Sequence, residues 1–293
     1  MKTKTEKEML NLILEFANND DRIRIVLING SRANPNIKKD PFQDYDIANY
    51  VNDVEPFKDE NYVVPYFGQM IVVEQPNIGP WPPPDADGSY HNYNMQLLDG
   101  NRIDLSFYHI DTLKERIKDS LTKVLLDKDN LCQDLPPPSE SSYHITPPTK
   151  ELYKGCCNGF FFALGSHIPK TIWRKNLPLL KSYIESCLRE TIGMMLTWEI
   201  GIKTDFKTSI GYNHKHLQDH LDQEVWIEYK KTYVDSNYDN LWDSLFLFYK
   251  IFMRSAEFVA NRYGFDFPEE KGIKILAFLE HVRKLPEDTK SIY

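Results

Sequence analysis

Five prolines fall within the sixteen residues from Asp134 to Thr149. Proline fixes φ and brings no backbone N–H, so a run this dense belongs to neither a helix interior nor a central strand and reads as an extended linker. The sequence changes character across it. Before the linker, helical and strand-like periods alternate; after it, apolar residues recur almost only at three- and four-residue spacing. The expected class is therefore α+β. Residues 1–134 would form one domain with a small mixed sheet and flanking helices, 135–149 the linker, and 150–293 an α-helical bundle domain. No internal repeat is visible.

Met9, Leu12, Ile13 and Phe16 make the i, i+3, i+4, i+7 stripe of a helix over 6–18. Arg24-Ile-Val-Leu-Ile28 is a short apolar run closed by Asn29-Gly30, as for a buried strand. Further strands are expected at 45–51, 69–74 and 102–108, with a helix over 113–126. In the second half the periodicity predicts helices over 150–166, 171–200, 222–233, 238–263 and 269–285. Thr149 is placed to cap the first of these, Gly264 to end the fourth, and Pro178 to kink or break the second.

Composition narrows the function. A chain of 293 residues with 41% apolar and 27% charged residues has enough material for a core. No stretch approaches the roughly 18–20 continuous apolar residues of a membrane span, and the start lacks a secretory apolar run, so a cytoplasmic protein with no membrane partner is expected. The net charge of −8 argues against broad nucleic-acid binding and favours a cationic small partner. Cys132, Cys156, Cys157 and Cys187 include no C-x-x-C pair and read as small apolar fillers.

The chemistry-bearing residues lie in the first half. Strand alternation sends Asp44 and Asp46 to one side while Tyr45 and Ile47 enter the core. Two neighbouring carboxylates repel unless a cation sits between them, and hard oxygen ligands beside phosphates suit Mg²⁺. Gly30-Ser31, at the end of a buried strand, lets a backbone approach phosphate oxygens closely, with Arg32 adding charge or pointing to solvent. In Arg102-Ile-Asp104-Leu-Ser-Phe107, Asp104 shares a face with Arg102 and Ser106. A strand laid beside the Asp44–Asp46 strand would bring Asp104 to the same cluster, where three carboxylates can hold two Mg²⁺ ions for an in-line displacement. Singly, each feature has a plainer reading: a lone D-x-D is mostly a solvated strand end, and a lone Asp104 an edge-strand charge. Their ordered combination carries the inference.

The segments Asn29-Gly-Ser-Arg-Ala-Asn34, Asp40-Pro-Phe-Gln-Asp-Tyr-Asp-Ile47, Asp99-Gly-Asn-Arg-Ile-Asp-Leu105, Cys156-Cys-Asn158 and Leu196-Thr-Trp-Glu-Ile-Gly-Ile-Lys-Thr-Asp-Phe206 resemble the polymerase-beta-type nucleotidyltransferases. More closely, they resemble the aminoglycoside 6-adenylyltransferases that modify streptomycin and so give antibiotic resistance. The likeness runs through nearly the whole chain. It implies transfer of AMP from ATP to a drug hydroxyl with release of pyrophosphate, metals on Asp44 and Asp46, and Asp104 completing the cluster and drawing the proton from the acceptor. It further implies that the helical half closes over the cleft. Trp173, Arg174 and Lys175 would reach substrate and nucleotide, though they equally suit an ordinary amphipathic helix. Glu185, Glu190, Glu199 and Asp205 are candidates to pair with the drug's guanidinium groups, or else solvated charges. Where the resemblance expects a glutamate after Cys-Cys-Asn, this chain has Gly159. Acceptors other than streptomycin, and a homologue that binds nucleotide or drug with little turnover, stay open.

Overall fold

The structure is a computed structural model that describes residues 2–84 and 86–293. Its contacts divide the chain into two compact units, Met1–Ser142 and Tyr143–Tyr293.

The first unit begins with helix α1 (Glu6–Asn18), started by a capping box in which Thr5 and Glu8 satisfy each other's backbone amides. Strand β1 (Ile23–Asn29) runs into a single 3₁₀ turn at Gly30–Arg32, and β2 spans Tyr45–Val51. Helix α2 (Glu60–Phe67) and strands β3 (Met70–Glu74), β4 (Tyr90–Leu97) and β5 (Arg102–His109) follow. A one-turn helix α3 (Leu113–Arg116) and strand β6 (Thr122–Asp127) complete the unit.

The six strands form one sheet in the order β3-β4-β5-β2-β1-β6. Only the central β2–β5 pair is parallel. One face is covered by α1 and α2, with Met9, Ile13, Phe16, Phe57 and Phe67 packed on Val26, Ile28, Tyr45, Ile47 and Phe107. The other face carries a smaller cluster around Ile25, Leu27, Ala48 and Tyr50. Burial of this kind contributes about 25 cal/mol per Å² of apolar surface, which holds the central strands in one register.

The described residues of the second unit that have regular structure are helical. They comprise α4 (Lys150–Phe162), α5 (Ile168–Trp173), α6 (Leu177–Tyr183), α7 (Glu190–Lys203), α8 (Leu217–His220), α9 (Gln223–Lys230), α10 (Tyr238–Tyr263) and α11 (Glu269–Arg283). Their core is centred on Phe160, stacked on Phe252 at 3.8 Å between ring centroids, and on Leu188, Leu196, Leu245 and Val259. Thr149 caps α4 by accepting from the Leu152 amide, and Gly264 ends α10 in the left-handed region at φ 67°.

One expectation is corrected. Residues 113–126 are not one helix: the chain leaves α3 after one turn, bends where the Leu121 amide donates to the Asp119 carboxylate, and enters β6. As expected of Pro178, the helical stretch over 171–200 is broken, just ahead of that residue. Lys175 takes φ 54°, and Pro178 then sits harmlessly in the first turn of α6, where its missing amide costs nothing. Among the described residues no helix is long and apolar enough to cross a membrane.

Candidate active site

The parallel pairing of β2 with β5 sets Asp46 directly opposite Asp104, and Tyr45 opposite Ile103. Period-two alternation then does the sorting. Tyr45, Ile47, Ile103 and Leu105 are buried beneath the sheet, while Asp44, Asp46 and Asp104 remain half-buried on the other side. Proximity and burial tell on the acids. Asp46 is pushed up to about 6, first by its own burial and then by the charges of Asp104 and Asp44, with Arg102 opposing. Asp44 is raised too, again by burial first, with Arg102 drawing it back and Asp104 adding to the rise.

Arg102 is the residue that sequence reasoning passed over. Its Nε and Nη2 donate to the two oxygens of Asp104 at 2.9 and 2.8 Å, a bidentate fork. Its Nη1 lies 3.6 Å from Asp44 Oδ2. The signal was present: alternation already put Arg102 and Asp104 on one face, two residues apart. Among the described residues, no three His, Cys, Asp or Glu side chains are gathered as a ready-made metal cage. In donor chemistry the site nevertheless fits a hard divalent cation. Three carboxylates lie on one side of the β2–β5 pair, two of them raised by burial first and by neighbouring acids after it, and a guanidinium already supplies part of the positive charge they require.

Gly30 lies against this group. Its φ is 65°, and a Cβ built there would stand 2.6 Å from Asp46 Oδ2, so only glycine leaves room for the carboxylate. The Gly30 amide is not itself open to a phosphate, because it donates to the Leu121 carbonyl at 3.0 Å. Ser31 stays half-buried in the turn that follows. Arg32 does not reach outward. Its Nε and Nη2 donate to the carbonyls of Asp44 and Gln43 at 3.0 and 2.7 Å, and its guanidinium covers the Tyr45 ring at 3.7 Å. It therefore straps the glycine turn to the start of β2. Beside it, the Gln43 side chain is buried, and neither amide atom makes a hydrogen bond among the described residues.

Residues 3–282 match the family described as streptomycin adenylyltransferase. The chain belongs to that family. A curated aminoglycoside 6-adenylyltransferase of Bacillus subtilis (strain 168) is 33% identical over 92% of this chain and 95% of its own length. One from Staphylococcus aureus is 32% identical over 92% and 96%. A crystal structure of an aminoglycoside 6-adenyltransferase from Bacillus subtilis aligns over 96% of this chain and 100% of its own, at 28% identity with a TM-score of 0.47. Membership makes this chain an adenylyltransferase, an enzyme whose co-substrate is ATP.

The residues that the family resemblance singled out in the second unit have varied surroundings. Lys175 is paired with Glu287. Trp173 and Arg174 line a cavity of about 430 Å³ within the helical unit, together with Lys170, Phe278 and the segment 289–292. Glu185 is engaged by the fork of Arg189, whose guanidinium also lies 3.6 Å from the Tyr233 ring centre. Glu190 is exposed at the start of α7, and Asp205 is exposed with φ 50°. Glu199 is buried and held by Lys203 and Arg254 at 2.9 Å each, an inward structural ion pair. Gly159 is exposed on α4.

Proposed function

We propose that this enzyme transfers the AMP group of ATP to a hydroxyl of a cationic aminoglycoside, streptomycin above all, with Mg²⁺ as cofactor and release of pyrophosphate. Facing Asp46 across one parallel strand pair with Asp104, beside a glycine that no other residue replaces without a clash, is the observation that carries this reading. Asp44, Asp46 and Asp104 would hold Mg²⁺, which when bound offsets the negative charge on the phosphates and on the attacking and leaving oxygens. The protein's own residues do the rest. Asp104 Oδ1 or Oδ2 accepts the proton of the acceptor hydroxyl as its oxygen attacks the α-phosphorus. Ser31 and the turn after Gly30 bind the phosphate oxygens, and Arg32 keeps that turn at a fixed distance from Asp44. In the helical bundle domain 150–293, exposed Glu190 is free to pair with an acceptor cation, whereas Glu185 is already held by Arg189. The relatives' names agree with this acceptor class.

The test is a product assay. Protein, ATP, Mg²⁺ and streptomycin are incubated together, and streptomycin gains the mass of one AMP while pyrophosphate appears. Asp44→Asn, Asp46→Asn and Asp104→Asn each lower kcat by about 10²–10⁴-fold with the fold retained. AMP on another acceptor only, or undiminished turnover in the Asp46 variant, would contradict the assignment.

A further inference from the structure

We propose that Arg102 is the built-in counter-ion of the carboxylate site, and that a divalent cation enters by displacing its guanidinium fork from Asp104. The inference rests on the metal reading above and adds a competitor for the same oxygens.

Both Asp104 oxygens accept from one guanidinium, at 2.9 and 2.8 Å, while its remaining nitrogen stands 3.6 Å from Asp44. Arg102 therefore touches two of the three acids. The fork fills the direction from which both Asp104 oxygens could be taken together, so a metal approaching from that side has to let the fork go. Arginine cannot leave by losing its proton, since its guanidinium stays charged at every working pH. It has to move, and it is free to: the Arg102 side chain is 43% exposed, against 26% for Asp104 and 32% for Asp44. Two consequences follow. The three acids stay assembled before any metal arrives, because the arginine supplies positive charge. The metal site is also weaker than its carboxylates alone would make it, because binding must first break the fork. Arg102 is thus a positioning residue that sets how strongly the site takes metal.

The test is Mn²⁺ titration of the full-length protein without nucleotide, following free Mn²⁺ by electron paramagnetic resonance. Removing the guanidinium in Arg102→Gln should tighten Mn²⁺ binding by about tenfold, the scale on which groups bonded to a metal ligand act. Arg102→Lys, which keeps one charge but no fork, should tighten it less. Adding Asp46→Asn to Arg102→Gln should abolish the gain, which locates it at this site. A purely structural arginine would change the melting temperature and leave the Mn²⁺ affinity alone. Equal or weaker Mn²⁺ binding in both Arg102 variants overturns the inference, and if the Gln variant does not fold, the Lys variant decides it. The two readings fail separately. Unchanged Mn²⁺ affinity in the Arg102 variants, with a wild-type chain that still adenylylates streptomycin, sinks the role of Arg102 alone, whereas a wild-type chain that transfers no AMP to any aminoglycoside sinks the proposed function.

Discussion

At the scale of single residues, Asp46 carries an electrostatic penalty in the folded chain. Burial and two neighbouring carboxylates push its pKa up to about 6. The unfolded chain releases that proton near ~3.9, so between there and about 6 the folded state holds the extra proton. Stability of the metal-free protein should accordingly fall as pH rises through that window, by on the order of 2 kcal/mol. Asp46→Asn removes the loss. Urea unfolding with a chelator, at pH 4.5 and pH 7.5, should show the variant gaining on wild type at the higher pH; parallel curves would mean that Asp46 is not raised in the folded chain. Gly30 gives a second expectation of the same locality. At φ 65°, with Asp46 2.6 Å from a new methyl group, Gly30→Ala should cost about 1–3 kcal/mol and lower turnover with it, as read by chemical denaturation and the product assay. That Asp44, Asp46 and Asp104 lie on one side of the sheet was legible in the sequence, because alternation fixes which side a strand residue faces. The strap role of Arg32 was not. Its partners are backbone carbonyls of Gln43 and Asp44, and carbonyls leave no mark in a sequence.

At the scale of elements, the long periodic segments were readable and the short ones were not. The stripe Met9, Ile13, Phe16 gave helix 6–18, and α10 runs over the expected 238–263. Strand β4 escaped notice although Tyr93, Met95 and Leu97 alternate as buried residues, because Asn92, Asn94 and Gln96 between them dilute its apolar character. The segment 113–126 was misread because leucines and isoleucine at helical spacing outweighed the Asp119-Ser120 turn. Sheet pairing of β6 with β1 then overrode propensity. Glycines inside helices make a sharper forecast, since two of them in one unit should behave oppositely. Gly155 is exposed in α4 with nothing within 4 Å of a new Cβ, so Gly155→Ala should stabilise by about 0.5–1 kcal/mol. A Cβ added at Gly201 in α7 would stand 2.4 Å from Phe206 and 2.9 Å from Ile145, so Gly201→Ala should cost about 1–3 kcal/mol. Urea midpoints of the two variants would move in opposite directions from wild type.

At the scale of the whole molecule, charge is what the sequence states most plainly, and it bears on the acceptor. With 43 acidic against 35 basic side chains the enzyme carries −8, and an aminoglycoside is a polycation. At low ionic strength a field of that sign draws the drug in from solution. The attraction fades as the Debye length contracts from about 30 Å at 0.01 M salt to about 10 Å at 0.1 M. For the aminoglycoside, kcat/KM should therefore fall by roughly three- to tenfold over that range while kcat changes little, since a screened field alters encounter more than chemistry. ATP supplies the internal control. As an anion it is repelled by the same field, so its kcat/KM should hold or rise with salt over the same range. Parallel declines for both substrates would point to a general effect of salt on the protein, and a flat response for the aminoglycoside would mean that local contacts alone select it. Opposed slopes would tie the negative balance of the chain to the choice of a cationic acceptor, a link that neither the sheet nor the three aspartates can make by themselves.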